Sequence, residues 1–228
     1  MQKNLPKISV VAIFLLVIIT IWVNVTKQNA VDHSKLPAKV EDNRGFQRWI
    51  TNLKNKEFDI GADEFRLLEE NEIYNTKWIK IYSIEEKGKQ EEFEQTVEAY
   101  RNIKKVVFAP NERIFLDYRH ETRGEYNPNE AHLYGLKEDK IIDARILDCS
   151  IGANCYFDRA YFLDNNVFVI SEVSRNIEKH SEEEPMCRDT DVCEYTFKVH
   201  VVDLINNKRW VYESIPFYGI LVDIIPKL

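Results

Sequence analysis

From Lys105 to the C-terminus the chain is a succession of short apolar runs separated by tight polar turns, and that pattern restricts it to antiparallel β architectures. Strands are predicted at Val106–Ala109, Ile114–Tyr118, Ala131–Leu136, Ile141–Leu147, Tyr156–Leu163, Val167–Val173, Tyr195–Leu204 and Arg209–Glu213. β-Branched and aromatic residues fill these runs, as a pleated, half-buried surface requires. The turns Ala109-Pro110-Asn111-Glu112, Lys137-Glu138-Asp139, Asp164-Asn165-Asn166 and Asn206-Asn207 carry the right chemistry: Pro presets φ, while Asn and Asp bond locally to their own backbone. Connections this short give antiparallel neighbours, because a parallel crossover needs a dozen or more residues.

The pattern also repeats. VFAPNERIFLDYRH, followed after a polar loop by AHLYGLKEDKIIDARI, parallels YFLDNNVFVISEVSRN followed by FKVHVVDLINNKRWVYES. Each unit runs strand, tight turn, strand, long variable loop, strand, tight turn, strand. The two units resemble single blades of the TolB-like and WD40-like β-propellers. Phe108-Ala109-Pro110-Asn111-Glu112 matches the aromatic-plus-turn portion of such a blade, and Val202-Asp203-Leu204 matches its valine-aspartate-leucine end. The resemblance covers about 105 residues and implies four-stranded sheets. Propellers have typically four to eight blades, whereas this chain has room for two, or three if Trp78–Val97 supplies another. A mainly β fold is therefore expected, as an antiparallel meander that is propeller-blade-like or a sandwich. The long loops Glu121–Glu130 and Asn176–Val192 occupy equivalent places in the two units.

Residues 45–104 read as a smaller, helical or mixed layer. Phe46, Trp49, Ile50 and Leu53 make an amphipathic stripe, with Trp49 anchoring the helix to the domain. Asp63 is placed to cap a second helical stretch, EFRLLEENEIY. WIKIYSI alternates with period two and predicts a strand over Trp78–Ile84. EEFEQTVEAYRNI fits either a helix or a hairpin partner for that strand.

The N-terminus sets the compartment. Ile8 to Val25 is eighteen residues without a charge, and only Ser9, Thr20 and Asn24 among them are polar. As a helix it would span roughly 27 Å, close to a hydrocarbon core of about 30 Å. The expected organisation is a short cytoplasmic tail at 1–7, one transmembrane signal-anchor helix at 8–25, a linker at 26–44, the mixed layer at 45–104 and the β region at 105–228. The alternative is a signal peptide cleaved after Ala30 and a secreted product. Lys3 and Lys7 on one side are nearly balanced by Lys27, Lys35 and Lys39 on the other, so basic flanks alone do not orient the segment.

The four cysteines do. Cys149, Cys155, Cys187 and Cys193 form two equally spaced pairs, an even count that reads as two disulfides in an oxidising compartment. Local pairing, Cys149 with Cys155 and Cys187 with Cys193, is favoured by turn-forming residues inside each loop. A four-thiolate zinc site is the rival, and it prefers cysteines two to four residues apart, whereas five intervene here. The bulk of the chain is thus expected outside the cytoplasm.

Signatures of chemistry are mostly absent. Net charge is −7, which disfavours nucleic acid and anionic lipid surfaces as partners. There is no G-x-S-x-G, P-loop, H-E-x-x-H or G-x-G-x-x-G sequence. His33, His120, His132, His180 and His200 are scattered, and no catalytic residue, cofactor or metal is assigned. The densest polar stretch puts Arg119, His120, Arg123 and Tyr126 on one loop, a candidate binding surface. The expected function is that of a non-enzymatic binding module that meets a protein or envelope component. An extracytoplasmic hydrolase with a nonstandard site, or a subunit of an envelope assembly, are the alternatives.

Overall fold

The structure, a computed structural model, describes residues 34–73, 79–119, 129–149, 155–175, 188 and 190–225. These comprise helices α1 (Ala38–Glu41), α2 (Arg44–Lys54), α3 (Lys89–Tyr100) and α4 (Leu221–Ile224), and eleven strands. The strands are β1 (Arg66–Glu72), β2 (Ile79–Ser83), β3 (Val106–Phe108), β4 (Ile114–Asp117), β5 (Glu130–Lys137) and β6 (Lys140–Asp148). They continue with β7 (Cys155–Phe162), β8 (Val167–Arg175), β9 (Val192–Asp203), β10 (Lys208–Glu213) and β11 (Phe217–Ile220).

All pairings between these strands are antiparallel and fall into two sheets. One has the order β2-β6-β5-β4-β3, the other β1-β10-β9-β8-β7 with β11 extending along β9. The eight predicted strands therefore form two four-stranded meanders, one per repeat unit. Each meander is completed by a fifth strand from the N-terminal layer, which pairs with its last member: β2 with β6, β1 with β10. The expected tight turns form, with Glu112, Glu138 and Asn207 in the left-handed region at φ 55°, 56° and 54°.

The blades do not surround an axis, and no propeller forms among the described residues. They stack face to face as a sandwich, and the reason is on their faces. Leu116, Leu133 and Ala144 of the five-stranded sheet meet Phe157, Phe168, Ile170 and Val202 of the six-stranded sheet in one core. The opposite faces are apolar as well, and each is covered by a helix. On the six-stranded sheet, Phe46, Trp49, Ile50 and Leu53 of α2 pack on Val169, Val173, Phe197 and Val199. On the five-stranded sheet, Phe93 and Val97 of α3 pack on Phe115, Leu136 and Ile141. The layers run helix, sheet, sheet, helix, each burying apolar faces on its neighbours. With each blade covered on both faces, no blade face is left to pack a third.

Two helical expectations separate here. EEFEQTVEAYRNI resolves as the helix α3: Phe93 and Val97 are one turn apart on the covered face, and Lys89–Glu92, Gln90–Glu94 and Glu91–Gln95 contacts support its exposed side. The helix expected after Asp63 is instead a single 3-10 turn (Ala62–Glu64) followed by the strand β1. The antiparallel ladder to β10 and the packing of Leu67 on the core hold it extended, and exposed ion pairs add to the pairing. Glu69 meets Arg209 at 3.0 Å and Glu70 meets Lys208, with Arg66 set opposite Glu213 in the register. Glu69 and Glu70 are thus exposed residues that also make cross-strand ion pairs.

No helix among the described residues is long and apolar enough to cross a membrane. The apolar run at 8–25 lies outside those residues.

Candidate functional site

Strand alternation splits β9 into two sides. Tyr195, Phe197, Val199 and Val201 face α2, so Thr196, Lys198, His200 and Val202 face the other sheet. Toward Val202 this inner face is apolar and closed. Toward Lys198 it turns polar, and the sandwich leaves a cleft of about 180 Å³ there. Glu69, Arg209, Lys198, His200 and Glu172 line it from the six-stranded sheet, and Asp148 and Cys149 from the end of β6. Glu69 reaches the cleft through a bulge. The register slips between Leu67 and Glu69, so Leu67 packs in the outer core while Glu69, only two residues on, turns inward opposite Val211.

The deepest polar group is a pair. His200 Nε2 and a Glu172 carboxylate oxygen are 2.7 Å apart, with side chains 6% and 7% exposed. Ser174 donates its hydroxyl to the other oxygen of the same carboxylate. Burial pushes the Glu172 carboxyl up, but the charge and hydrogen bond of His200, the Ser174 bond and the Lys198 charge outweigh it and hold it below the ordinary carboxylate range. The far ring nitrogen, His200 Nδ1, is buried without a hydrogen-bond partner among the described residues, and so is Arg209 Nε. Both atoms belong to side chains that line the cleft, while the other two unpartnered buried atoms among the described residues, Glu64 Oε2 and Tyr161 OH, lie away from it.

A second network fixes the opposite wall. Glu130 accepts from Arg145 and meets His132 Nε2 at 2.8 Å, and Arg145 reaches Asp148 at 3.2 Å. Burial pushes the Glu130 carboxyl up, yet the two hydrogen bonds and the Arg145 charge bring it below its usual value. Asn129 ties the same corner together. Its side-chain amide donates to the Cys155 carbonyl, and its backbone carbonyl accepts from Cys149 N at 2.8 Å.

Cys149 and Cys155 are bonded, with Cα atoms 5.3 Å apart. Cys149 follows the last residue of β6 and Cys155 opens β7, so this local bridge fastens one sheet to the other beside the cleft. Cys193 is also disulfide-bonded; Cys187 lies outside the described residues. Of the expected binding loop, only Arg119 is described. Its Nε and Nη2 bind the Asp117 carboxylate at 2.9 and 2.7 Å, and its guanidinium lies 5.2 Å over the Tyr100 ring. Arg119 is therefore engaged within the fold. His120, Arg123 and Tyr126 lie outside the described residues.

The described histidines do not gather. His132 belongs to Glu130 and His200 to Glu172, on different sheets. Nor is there a nucleophile with its base among the described cleft residues. Ser174 donates to Glu172 and not to His200, whereas an activated serine must bond to the base that takes its proton. Glu172 and His200 went unassigned in the sequence, although a signal existed: Glu172 and Ser174 interrupt VFVISEVSR, and Lys198 and His200 interrupt FKVHVV, each at every second position of a buried strand.

Comparison with protein-family models, with curated proteins and with solved structures finds no match for this chain.

Proposed function

We propose that the chain is a membrane-tethered, extracytoplasmic binding domain that grips a polar group of a protein or envelope component in the cleft between its sheets. The observation that carries this reading is the pair of unpartnered buried atoms, His200 Nδ1 and Arg209 Nε, on side chains lining one cleft. At about 180 Å³ the cleft is smaller than the roughly 300–1,000 Å³ of pockets that enclose whole small molecules. It suits one inserted side chain or sugar unit of a larger partner. Arg209 Nε can only donate, so the inserted group presents an acceptor. The tether is supported by the uncharged run at 8–25 and the outside location by the Cys149–Cys155 bridge.

Two measurements test this reading. A photoreactive residue at Glu69, on the cleft rim of the full chain in native membranes, is expected to give a discrete adduct that Arg209→Ala abolishes. An adduct indifferent to Arg209→Ala, or none, overturns the cleft assignment. A C-terminal alkaline phosphatase fusion, active only where disulfides form, is expected to be active and to resist extraction by alkaline carbonate. An inactive fusion overturns the location, and ready extraction overturns the tether.

A further inference from the structure

The Cys149–Cys155 bridge has a neighbour that a purely structural staple does not need. Its two sulfurs and a carboxylate oxygen of Glu172 lie within 4.8 Å of one another. Two sulfurs and one oxygen, from residues on the ends of β6 and β7 and on β8, converge on one point at the wall of an open cleft. While the sulfurs are bonded to each other this donor set is closed. Once reduced, it is the type that zinc takes: two thiolates and a carboxylate, with a fourth position for water.

We propose that Cys149, Cys155 and Glu172 form a redox-gated zinc site, which staples the two sheets when oxidised and holds one zinc ion when reduced. It differs from a four-cysteine site, because its third ligand is the carboxylate of a neighbouring strand.

The geometry requires little movement. Zinc–sulfur bonds of about 2.3 Å in a tetrahedral site set the two sulfurs roughly 3.8 Å apart. Breaking the S–S bond lets them separate to that distance by side-chain rotation, inside the span they already share with Glu172. The carboxylate is already held in a fixed orientation, since Ser174 donates to one oxygen and His200 meets the other at 2.7 Å. Ligating carboxylates are oriented by such outer hydrogen bonds. Lys198 and Arg209 line the same cleft and offset the excess negative charge of two thiolates and a carboxylate around a divalent ion.

The chemistry balances. A dithiol reductant attacks the cystine through one thiolate and forms a mixed disulfide, releasing one cysteine sulfur. Its second thiol then closes on the first, leaving the reductant as a disulfide and the protein with two thiols. Two electrons pass from the reductant to the cystine, and the two protons of the dithiol end on Cys149 and Cys155. Zinc then binds both sulfurs as thiolates and releases those two protons to solvent. The site depends on neither the tether nor the location proposed above, so its failure leaves that reading untouched.

The test uses the full chain in detergent, with Cys187→Ser and Cys193→Ser to remove the other two thiols. Zinc is counted by equilibrium dialysis after reduction with a phosphine and its removal without oxygen. One zinc per reduced chain and none per oxidised chain are expected. Cobalt(II) in place of zinc should give a thiolate-to-metal charge-transfer band in the near ultraviolet. Glu172→Gln is expected to weaken zinc at least about tenfold, and Cys149→Ser with Cys155→Ser to abolish it. Should the Cys187 and Cys193 variant not fold, the reduced wild-type chain is compared with the Cys149 and Cys155 variant, and a difference of one zinc is expected. No zinc in the reduced chain, equal zinc in both redox states, or zinc unaffected by Glu172→Gln overturns the proposal.

Discussion

Glu172 and His200 face each other from adjacent strands, Nε2 to carboxylate oxygen at 2.7 Å, in a place where both side chains are almost wholly removed from water. Neither residue is isolated in cost. Removing His200 leaves the buried Glu172 carboxylate uncompensated, at about 3–5 kcal/mol, whereas replacing both by apolar residues of similar volume is often neutral. His200→Ala is therefore expected to lose about 3 kcal/mol or more in urea unfolding, and His200→Leu with Glu172→Leu much less than the sum of the singles. Additive losses in the double-mutant cycle would show that the two residues act independently.

Trp49 is bound at both ends. Its ring meets Phe197 edge-on at 5.5 Å, and its Nε1 donates to Asp158 at 2.8 Å. Asp158 sits where the register of β7 slips between Phe157 and Arg159, so the bulge presents a carboxylate to the helix side of the sheet. Trp49→Ala is expected to cost about 3–5 kcal/mol by lost burial and cavity formation. Trp49→Phe keeps most of the packing but strips Asp158 of this donor, and should cost about 1–3 kcal/mol. Equilibrium unfolding followed by circular dichroism checks both, and a Trp49→Phe value near zero would assign no role to the hydrogen bond.

Gly135 answers to a close approach. A Cβ built there would lie 2.7 Å from Ile114 Cα and 2.9 Å from the Arg113 carbonyl oxygen, and both are backbone atoms that cannot rotate away. Gly135→Ala should destabilise the chain by about 1–3 kcal/mol through overpacking, despite the gain in β propensity over glycine. A melting temperature at or above wild type would contradict this.

Stability should fall in acid, and Glu130 should carry part of the fall. Its folded carboxyl lies below the ordinary value of 4.5, held there by His132 and Arg145 against the effect of burial. A depressed folded value stabilises the protein above the unfolded value, and that contribution is lost as pH drops from about 4.5 through the folded value. Arg145 on β6, His132 on its own strand, and Asp148 through Arg145 are the charged or titratable groups set around it. Asp164, also held below its usual value by Lys39 and two backbone amides despite burial, works in the same direction at the surface. Unfolding free energies between about pH 3 and pH 6 should therefore decline more steeply for wild type than for Glu130→Gln. Parallel curves would rule Glu130 out as a contributor.

Much of this fold was legible because strand and turn signals agree locally. Asn206-Asn207 permits a left-handed turn wherever it falls, and FKVHVVD alternates whatever it faces. What was not legible depended on partners distant in the chain. Leu67 to Glu72 has a helical composition and becomes a strand by pairing with β10, which is distant in the chain. The stacking of two blades rather than a propeller follows from α2 and α3 covering their outer faces, which a repeat taken alone does not contain. The cysteine pairing at 149 and 155 was readable from spacing, since both ends belong to one short loop. Glu172 beside it was not, because only the lateral order β7-β8-β9 brings that carboxylate to the sulfurs.

The strand that completes the six-stranded sheet is synthesised well before its partner. β1 ends at Glu72, and its partner β10 begins at Lys208. Until synthesis passes that point, β1 has no edge to join, and the loop that must then close is long, which makes the pairing a late, non-local event. Through that delay a bare strand edge would invite association with other chains. Glu69, Glu70 and Glu72 make it self-repelling toward its own copies. The charges of Glu69 and Glu70 that meet Arg209 and Lys208 in the folded chain would also disfavour pairing between nascent copies until the chain's own basic strand arrives.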